Sequence, residues 1–187
     1  ISAQMIGIMN DFMRGVNAKV CAAEEKRGHK IMLSVRLPRD IDEIKEYGFD
    51  ARTWAAEKII DAVVVTPRWS SCDSAMPIET WRKELAGTEI YAGIETHINT
   101  QNPSSHAAAD AVNGYMAQYL SKDVDGIYLF NYMKLSPVDN RSDAVFNSFS
   151  SVSEVLNSKR RHIIGYQDLQ GIGIPRDTSR IIRLTVS

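Results

Sequence analysis

The chain has 187 residues, of which 44% are hydrophobic and 24% are charged. These ordinary globular values exclude disordered, collagen-like and low-complexity proteins. The 22 Lys and Arg residues nearly balance the 23 Asp and Glu residues, so the net charge of -1 gives no electrostatic sign of nucleic-acid binding. No apolar run approaches the roughly twenty residues that a membrane helix needs, and we expect no membrane span. Two widely separated cysteines, Cys21 and Cys72, indicate neither a disulfide framework nor a zinc site.

Helical and strand patterns alternate from the start of the chain. The elements predicted in the first part are a helix over 5–27, a strand over 30–38, a helical turn over 42–47, a helix over 51–60 and a strand over 62–67. Gly28 ends the first helix, and Asp50 caps the helix over 51–60. The apolar run 30–38, closed by a proline, predicts a strand buried on both faces, as in parallel sheets.

The same alternation continues along the chain. The next predicted elements are a helix over 78–85 with Pro77 in its first turn, a strand over 89–95, a helix capped by Ser104 or Ser105 that ends at Leu120, a strand over 125–132 and a helix over 142–157. Four strands that are each followed by a helix predict a parallel sheet with right-handed crossovers. Trp54 and Trp81 lie on predicted helices, where we expect them in the core. Neither a dinucleotide nor a nucleoside triphosphate motif occurs, and we expect no cofactor.

Polar residues collect in the loops that follow the strands, whereas the loops at the other strand ends are short. These polar loops lie at 36–39, 67–70, 95–97 and 131–133. This asymmetry is typical of a site built at the carboxyl ends of parallel strands. From residue 161 the pattern changes, with predicted strands over 163–166 and 180–186 on either side of a Gly- and Pro-rich stretch.

Four segments resemble the second half of the bacterial family-10-like glycosyl hydrolases, namely RGHKIMLSVRLP, YGFDARTWAAEKIIDAVVV, IYAGIE and DGIYLFNYM. The resemblance covers residues 5–133 and implies a (β/α)8 TIM barrel. Residues 1–160 would form half of it, with strands five to eight, and residues 161–187 would begin a β-rich C-terminal segment. The resemblance also implies a carbohydrate substrate and a secreted or periplasmic protein.

The half barrel has consequences for assembly. The chain begins with Ile1 rather than Met, and we expect its natural start to lie upstream. Four strands cannot close a barrel, because filled barrels need about eight strands. An open half exposes two strand edges and an inner face. We therefore expect either an excised fragment or self-association of two copies through these edges.

Glu95 is the candidate catalytic residue, because it ends an otherwise apolar strand, where a carboxylate would sit at the mouth of a barrel. Glycoside hydrolysis needs two carboxyl groups. The resemblance to retaining barrel glycosidases implies that the nucleophile is the glutamate ending strand seven, the position of Glu95. The acid would end strand four, outside this chain. The structural alternative is a carboxylate paired with Arg36 or Arg68.

Five residues are candidates for substrate binding: Arg36, Arg68, Trp69, Asn131 and Tyr132. Arg36 would orient Glu95 or bind a sugar hydroxyl, although an ion pair at the barrel mouth is favoured slightly for a charge in an apolar strand. Arg68 would donate to hydroxyls, and Trp69 would stack on a sugar face.

Strand alternation places Leu129 and Asn131 on one side of the fourth strand and the aromatic residues Tyr128, Phe130 and Tyr132 on the other. Asn131 is therefore predicted to point away from its aromatic neighbours. For the tyrosines, packing between barrel and helices is favoured over ligand contact.

The sequence offers two alternatives to hydrolysis by Glu95, a metal site and a cysteine nucleophile. Glu95 and His97, with Asp73 or His106, could bind a metal, but no HExxH or paired-histidine spacing supports this, and a loop histidine is favoured. Cys72 lacks an identifiable basic partner for a nucleophile. We predict a glycoside hydrolase of retaining type, with a non-catalytic carbohydrate-binding barrel as the alternative and a metal-dependent hydrolase as a third interpretation.

Overall fold

The protein is a mixed α/β structure built around a four-stranded parallel sheet. The computed structural model describes residues 3–67, 72–95, 108–132 and 151–163. The strands are β1 (Ser34–Pro38), β2 (Ala62–Thr66), β3 (Glu89–Glu95) and β4 (Gly126–Phe130). The helices are α1 (Ala3–Arg27), α2 (Ala51–Ala56), α3 (Ile78–Glu84), α4 (Ala109–Leu120) and α5 (Val152–Asn157), with a 3-10 helix (Glu43–Tyr47) before α2. The strand order β1-β2-β3-β4 follows the chain, and every neighbouring pair is parallel. The predicted alternation and parallel sheet are therefore confirmed.

Helix ends follow the predicted signals in two cases and depart from them in two. Gly28 ends α1 with a left-handed φ of 71°, and the Asp50 side chain accepts a hydrogen bond from Thr53 N at the start of α2. The predicted end of α2 at residue 60 is wrong, because the helix stops at Ala56 and Lys58 adopts a left-handed φ of 56°. Pro77 precedes α3 as its cap residue, one position before the predicted one.

The helices cover one face of the sheet and bury the core there. Alternate strand residues face this side, and Val63, Val65, Ile90 and Ile94 have no exposed surface. The two tryptophans predicted for the core, Trp54 and Trp81, are 2% and 0% exposed and belong to the same cluster. Burial of this apolar surface is the main stabilising contribution of the fold.

The prediction for the first strand is wrong in length and in burial. The strand begins at Ser34 rather than at residue 30, and its alternate residues Ser34 and Arg36 are exposed. Leu37 faces the helices and is buried, with Val35 partly buried beside it. An apolar run alone does not reveal that the second face of a strand is uncovered.

The face opposite the helices is concave. The guanidinium carbon of Arg36 on β1 lies 3.8 Å from the ring centroid of Phe130 on β4. In a flat sheet these two strands would lie about 14 Å apart, because neighbouring strands are about 4.8 Å apart. The contact between side chains of the first and last strands indicates that the sheet curls toward this face. We call this surface the open face.

Paired hydrogen bonds join the strands at their amino ends. Asp61 donates from its backbone N to Leu33 O, and its Oδ2 accepts from Leu33 N, both at 2.8 Å. Asp125 repeats the arrangement with Ile90, at 2.8 and 2.7 Å. An aspartate before β2 and another before β4 thus each align the start of their strand with the strand before it.

Several predictions lie wholly or partly outside the described residues. These are the cap at Ser104 or Ser105, the beginning of the helix over 142–157, and the tail strands within 161–187. The described part of the last helix begins after Ser151, whose hydroxyl accepts from Glu154 N. Among the described helices, none combines the length and apolar character needed to cross a membrane.

Candidate functional site

A carboxylate and an amide meet at the carboxyl end of the sheet. Glu95 is the last residue of β3, is 8% exposed, and has Phe130 as its register partner on β4. Asn131 follows β4, and its Nδ2 lies 3.1 Å from Oε1 and 3.3 Å from Oε2 of Glu95. These are two of the residues predicted to converge at this end, and the structure brings them together.

The backbone of Asn131 explains how its side chain reaches Glu95. Asn131 has a left-handed φ of 61°, a conformation that Asn tolerates better than most residues. Strand alternation therefore stops at Phe130, and the predicted separation of Asn131 from the aromatic side does not hold. The turn directs the amide toward the carboxylate of the neighbouring strand.

The Cys72 thiol holds the main chain of Glu95. Glu95 N donates to Cys72 Sγ at 3.3 Å, and the thiol donates to Glu95 O at 3.7 Å. Cys72 has no exposed surface. Its sulfur therefore supports the strand end from inside the core rather than facing the open face as a nucleophile.

The loop after β2 is anchored by a buried ion pair. Asp73 pairs with Arg39, which follows β1, and the backbone oxygen of Asp73 accepts from Tyr119 Oη at 3.0 Å. Trp81 Nε1 donates to Arg39 O at 2.8 Å. This network fixes Asp73, the residue next to Cys72, against α3 and α4. The Asp73 carboxylate, a candidate metal ligand from the sequence, is therefore paired with Arg39.

Among the described residues, no group of three His, Cys, Asp or Glu side chains is placed to hold a metal ion. His97 and His106, the histidines of the metal interpretation, lie outside the described residues.

Arg36 stacks on an aromatic ring instead of forming an ion pair within the described residues. Its guanidinium carbon lies over the ring of Phe130, and its Nη1 lies 3.4 Å from Thr66 Oγ1. A Cβ at Gly93 would overlap Thr66 Cγ2, so the glycine makes room for the threonine. The ion pair favoured from the sequence is thus replaced here by a cation–π contact.

The tyrosines of β4 and its end differ in their environment. Tyr128 is 41% exposed, and its ring stacks with that of Phe130 at 6.5 Å on the open face. The expectation that Tyr128 packs against helices is therefore wrong. Tyr132 is partly buried and packs against the helix-side core, as expected for the structural alternative. Arg68 and Trp69 lie outside the described residues.

The sequence did not indicate that Phe130 and Thr66 contact Arg36, or that Cys72 supports the main chain of Glu95. The register that pairs Glu95 with Phe130 could have drawn attention to Phe130, since parallel neighbours share a face. No family model matches the chain, and no curated protein matches it significantly. The features of the site that bear on function are its carboxylate, amide, guanidinium and aromatic rings.

Proposed function

We propose that the sheet is the second half of a (β/α)8 barrel and that the chain is part of a glycoside hydrolase with Glu95 as the nucleophile. The observation that carries this proposal is the Glu95 carboxylate at the carboxyl end of β3, held by the Asn131 amide. The curl of the sheet and the one-sided cover of helices support the half barrel. Carboxyl ends of parallel strands are where barrel enzymes carry their reactive groups.

The contacts of Glu95 suit a nucleophile in a retaining mechanism. One carboxylate oxygen would form a bond to the anomeric carbon while the bond from that carbon to the leaving oxygen breaks. A second carboxyl group would protonate the leaving oxygen, and water would then hydrolyse the glycosyl ester. The Asn131 amide would hold the carboxylate in its attacking orientation, which lowers the entropic cost of reaching the transition state.

Two other carboxylates that follow strands in the described part of the chain are engaged elsewhere. Asp73 is 2% exposed and pairs with Arg39. Asp40 accepts hydrogen bonds from the backbone N of Asp42 and Glu43, in front of the 3-10 helix. These contacts support Glu95 as the reactive carboxylate at the carboxyl end of the described sheet. The acid is expected from a part of the protein outside the described residues.

A covalent label tests the nucleophile without requiring the acid. A fluorosugar with a dinitrophenolate leaving group should react with Glu95, because dinitrophenolate leaves without protonation. Intact-mass and peptide mass spectrometry should find one sugar esterified to Glu95. The Glu95→Gln variant should remain unlabelled.

Glu89→Gln is the matched control, because Glu89 lies on the same face of the same strand at its other end and is exposed. That variant should be labelled like the unmodified chain. Labelling of Glu95→Gln, or a label on Glu89, would contradict the assignment. Sugar binding without any label would favour the non-catalytic carbohydrate-binding protein, which the exposed Tyr128 ring also suits.

A further inference from the structure

Arg36 presents a cation whose hydrogen-bonding capacity is largely unused within the described residues. A guanidinium carries five N–H donors. The contacts of Arg36 there are the 3.4 Å approach to Thr66 Oγ1 and the stacking on Phe130. Arg36 is exposed on the open face and forms no ion pair with any described residue. The described part of the chain therefore leaves its charge and most of its donors for a ligand.

The Phe130 ring orients this guanidinium for recognition of a planar anion. Stacking on an aromatic face restricts the guanidinium plane while leaving its N–H edges accessible. Thr66 fixes one edge, and the close approach of Thr66 to Gly93 limits where that hydroxyl can move. An arginine held in this way loses less freedom on binding a carboxylate with two parallel hydrogen bonds.

Phe130 also brings Arg36 close to the carboxylate of the site. Glu95 is the register partner of Phe130 on the neighbouring strand, and adjacent strands lie about 4.8 Å apart. The Arg36 guanidinium therefore lies over the ring of the residue that pairs with Glu95 across the sheet. A sugar whose anomeric carbon is near Glu95 would place a substituent near Arg36.

We infer that the substrate is an acidic sugar, with Arg36 binding an oxyanion on the ring that Glu95 attacks. This inference rests on the proposed function and specifies its substrate class. A carboxylate such as that of a uronic acid matches the planar guanidinium edge. A neutral sugar would offer only uncharged hydroxyls, whereas a carboxylate accepts two parallel hydrogen bonds from the guanidinium and brings the opposite charge.

Binding measurements on the whole chain test the inference without turnover. Isothermal titration at low salt would compare glucuronate, glucose, glucose 6-phosphate and inorganic phosphate. Glucuronate should bind about tenfold or more tightly than glucose, a difference within the range of one charge-assisted contact. Arg36→Gln should abolish that preference, because it should weaken glucuronate binding much more than glucose binding. Arg36→Lys should retain part of it, since lysine keeps the charge but not the planar fork.

The matched control is Arg27→Gln, which removes an exposed arginine from the last turn of α1. It should bind all four probes like the unmodified chain. Circular dichroism would verify that the variants fold. A preference for glucose 6-phosphate over glucuronate would support the oxyanion and identify it as a phosphate.

Equal affinities for glucuronate and glucose, no binding of glucuronate, or unchanged selectivity in Arg36→Gln would overturn the inference. If inorganic phosphate binds as tightly as either charged sugar, the site recognises an anion and not a sugar, which would overturn the inference that the ligand is a sugar. Failure of the hydrolase proposal gives a different result. In that case selectivity for glucuronate persists while the fluorosugar fails to label Glu95.

Discussion

Asn131 and Glu95 form an amide–carboxylate contact in which one Nδ2 lies within 3.3 Å of both carboxylate oxygens. The contact joins the ends of two adjacent parallel strands and depends on the left-handed backbone of Asn131. Because Glu95 is 8% exposed, the amide replaces part of the water that its carboxylate would otherwise bind. The geometry of the candidate nucleophile therefore depends on a residue outside its own strand.

We expect Asn131→Asp to lower the free energy of unfolding at pH 7 by about 1–3 kcal/mol, because it replaces a donor with a second carboxylate. Two facing carboxylates raise the pKa of one of them above its unfolded value. The penalty is therefore fully present above that raised pKa and is relieved as pH falls toward the unfolded value of about 4. Urea unfolding at pH 7 and pH 4 measures the free energy of unfolding with the penalty present and with it relieved.

Asn131→Gly serves as the control for Asn131→Asp, because glycine accepts the left-handed backbone and adds no charge. Its effect on the free energy of unfolding should change less between the two pH values than that of Asn131→Asp, because it removes the amide without adding a second carboxylate. The loss of stability in Asn131→Asp, measured against the unmodified chain, should be larger at pH 7 than at pH 4. Equal losses at the two pH values would contradict the contact with Glu95.

The sequence predicted the sheet well where local signals were unambiguous. Alternation from residue 89 to 95 defines β3 correctly, with left-handed Gly87 before it. The end of α2 was misplaced because the left-handed residue is Lys58, a type that carries no stop signal. The burial of β1 was misjudged because an apolar run does not show whether another layer covers each face.

Part of the candidate site was predictable because parallel strands end at a common edge. That rule places Glu95 and Asn131 at the same edge of the sheet, but the contact between their side chains also needs the left-handed backbone of Asn131. The contact of Arg36 with Phe130 was not predictable, since it depends on how strongly the whole sheet curls. The thiol under Glu95 was missed because a cysteine in a polar loop gives no indication of burial.

The close approach of Gly93 to Thr66 gives a second prediction. A methyl group at residue 93 would overlap Thr66 Cγ2, so Gly93→Ala should cost about 1–3 kcal/mol of stability through overpacking. Thr66→Ser removes that methyl and keeps the hydroxyl near Arg36. The double variant should recover most of the loss, and chemical denaturation of all three measures the coupling. Simple additivity of the two single effects would contradict this packing relationship.

The buried thiol gives a third prediction. Cys72→Ala should lower the free energy of unfolding by about 1–3 kcal/mol, because it removes the sulfur that accepts from Glu95 N inside the core. Cys72→Ser keeps a donor and an acceptor at the same position and should lose less. Urea unfolding compares the two variants. Equal losses would show that side-chain volume, and not the contact with Glu95, determines the effect.

The aspartate that aligns β3 with β4 gives a pH-dependent prediction. Burial opposes ionisation of Asp125, but hydrogen bonds from Ile90 N and the Arg82 guanidinium prevail and hold its pKa below the ordinary value. This contribution to stability is present above the unfolded pKa of about 3.9 and is lost as pH falls through the folded pKa. Asp125 is more than a third exposed, so solvent screens the pair.

Asp125→Asn should therefore cost about 1 kcal/mol at pH 7, and the difference from the unmodified chain should shrink as the pH falls below the unfolded pKa of about 3.9. Thermal or urea unfolding across this pH range measures the difference. Glu25→Gln, an exposed change on α1, is the control and should show no such trend. A constant difference at all pH values would mean that the charge of Asp125 contributes nothing.

The last prediction concerns self-association. In the described sheet β1 and β4 are edge strands, and unpaired edges promote pairing with other chains. Large apolar side chains are exposed on the first and last described helices: Met5, Ile8 and Phe12 on α1, and Val152 and Leu156 on α5. We expect the isolated chain to self-associate at micromolar concentration, since burial of one large apolar side chain contributes about 1.5–3 kcal/mol.

Light scattering over a range of concentrations tests this expectation. Ile8 and Phe12 on α1 are 64% and 62% exposed and can contact a second copy. If α1 takes part in the interface, the double variant Ile8→Lys with Phe12→Lys should weaken association at least about tenfold. Glu25→Lys adds a positive charge elsewhere on α1 and should leave association unchanged. A single 20.9 kDa species at every concentration would contradict self-association. The edges of β1 and β4 would then have to be covered within one chain.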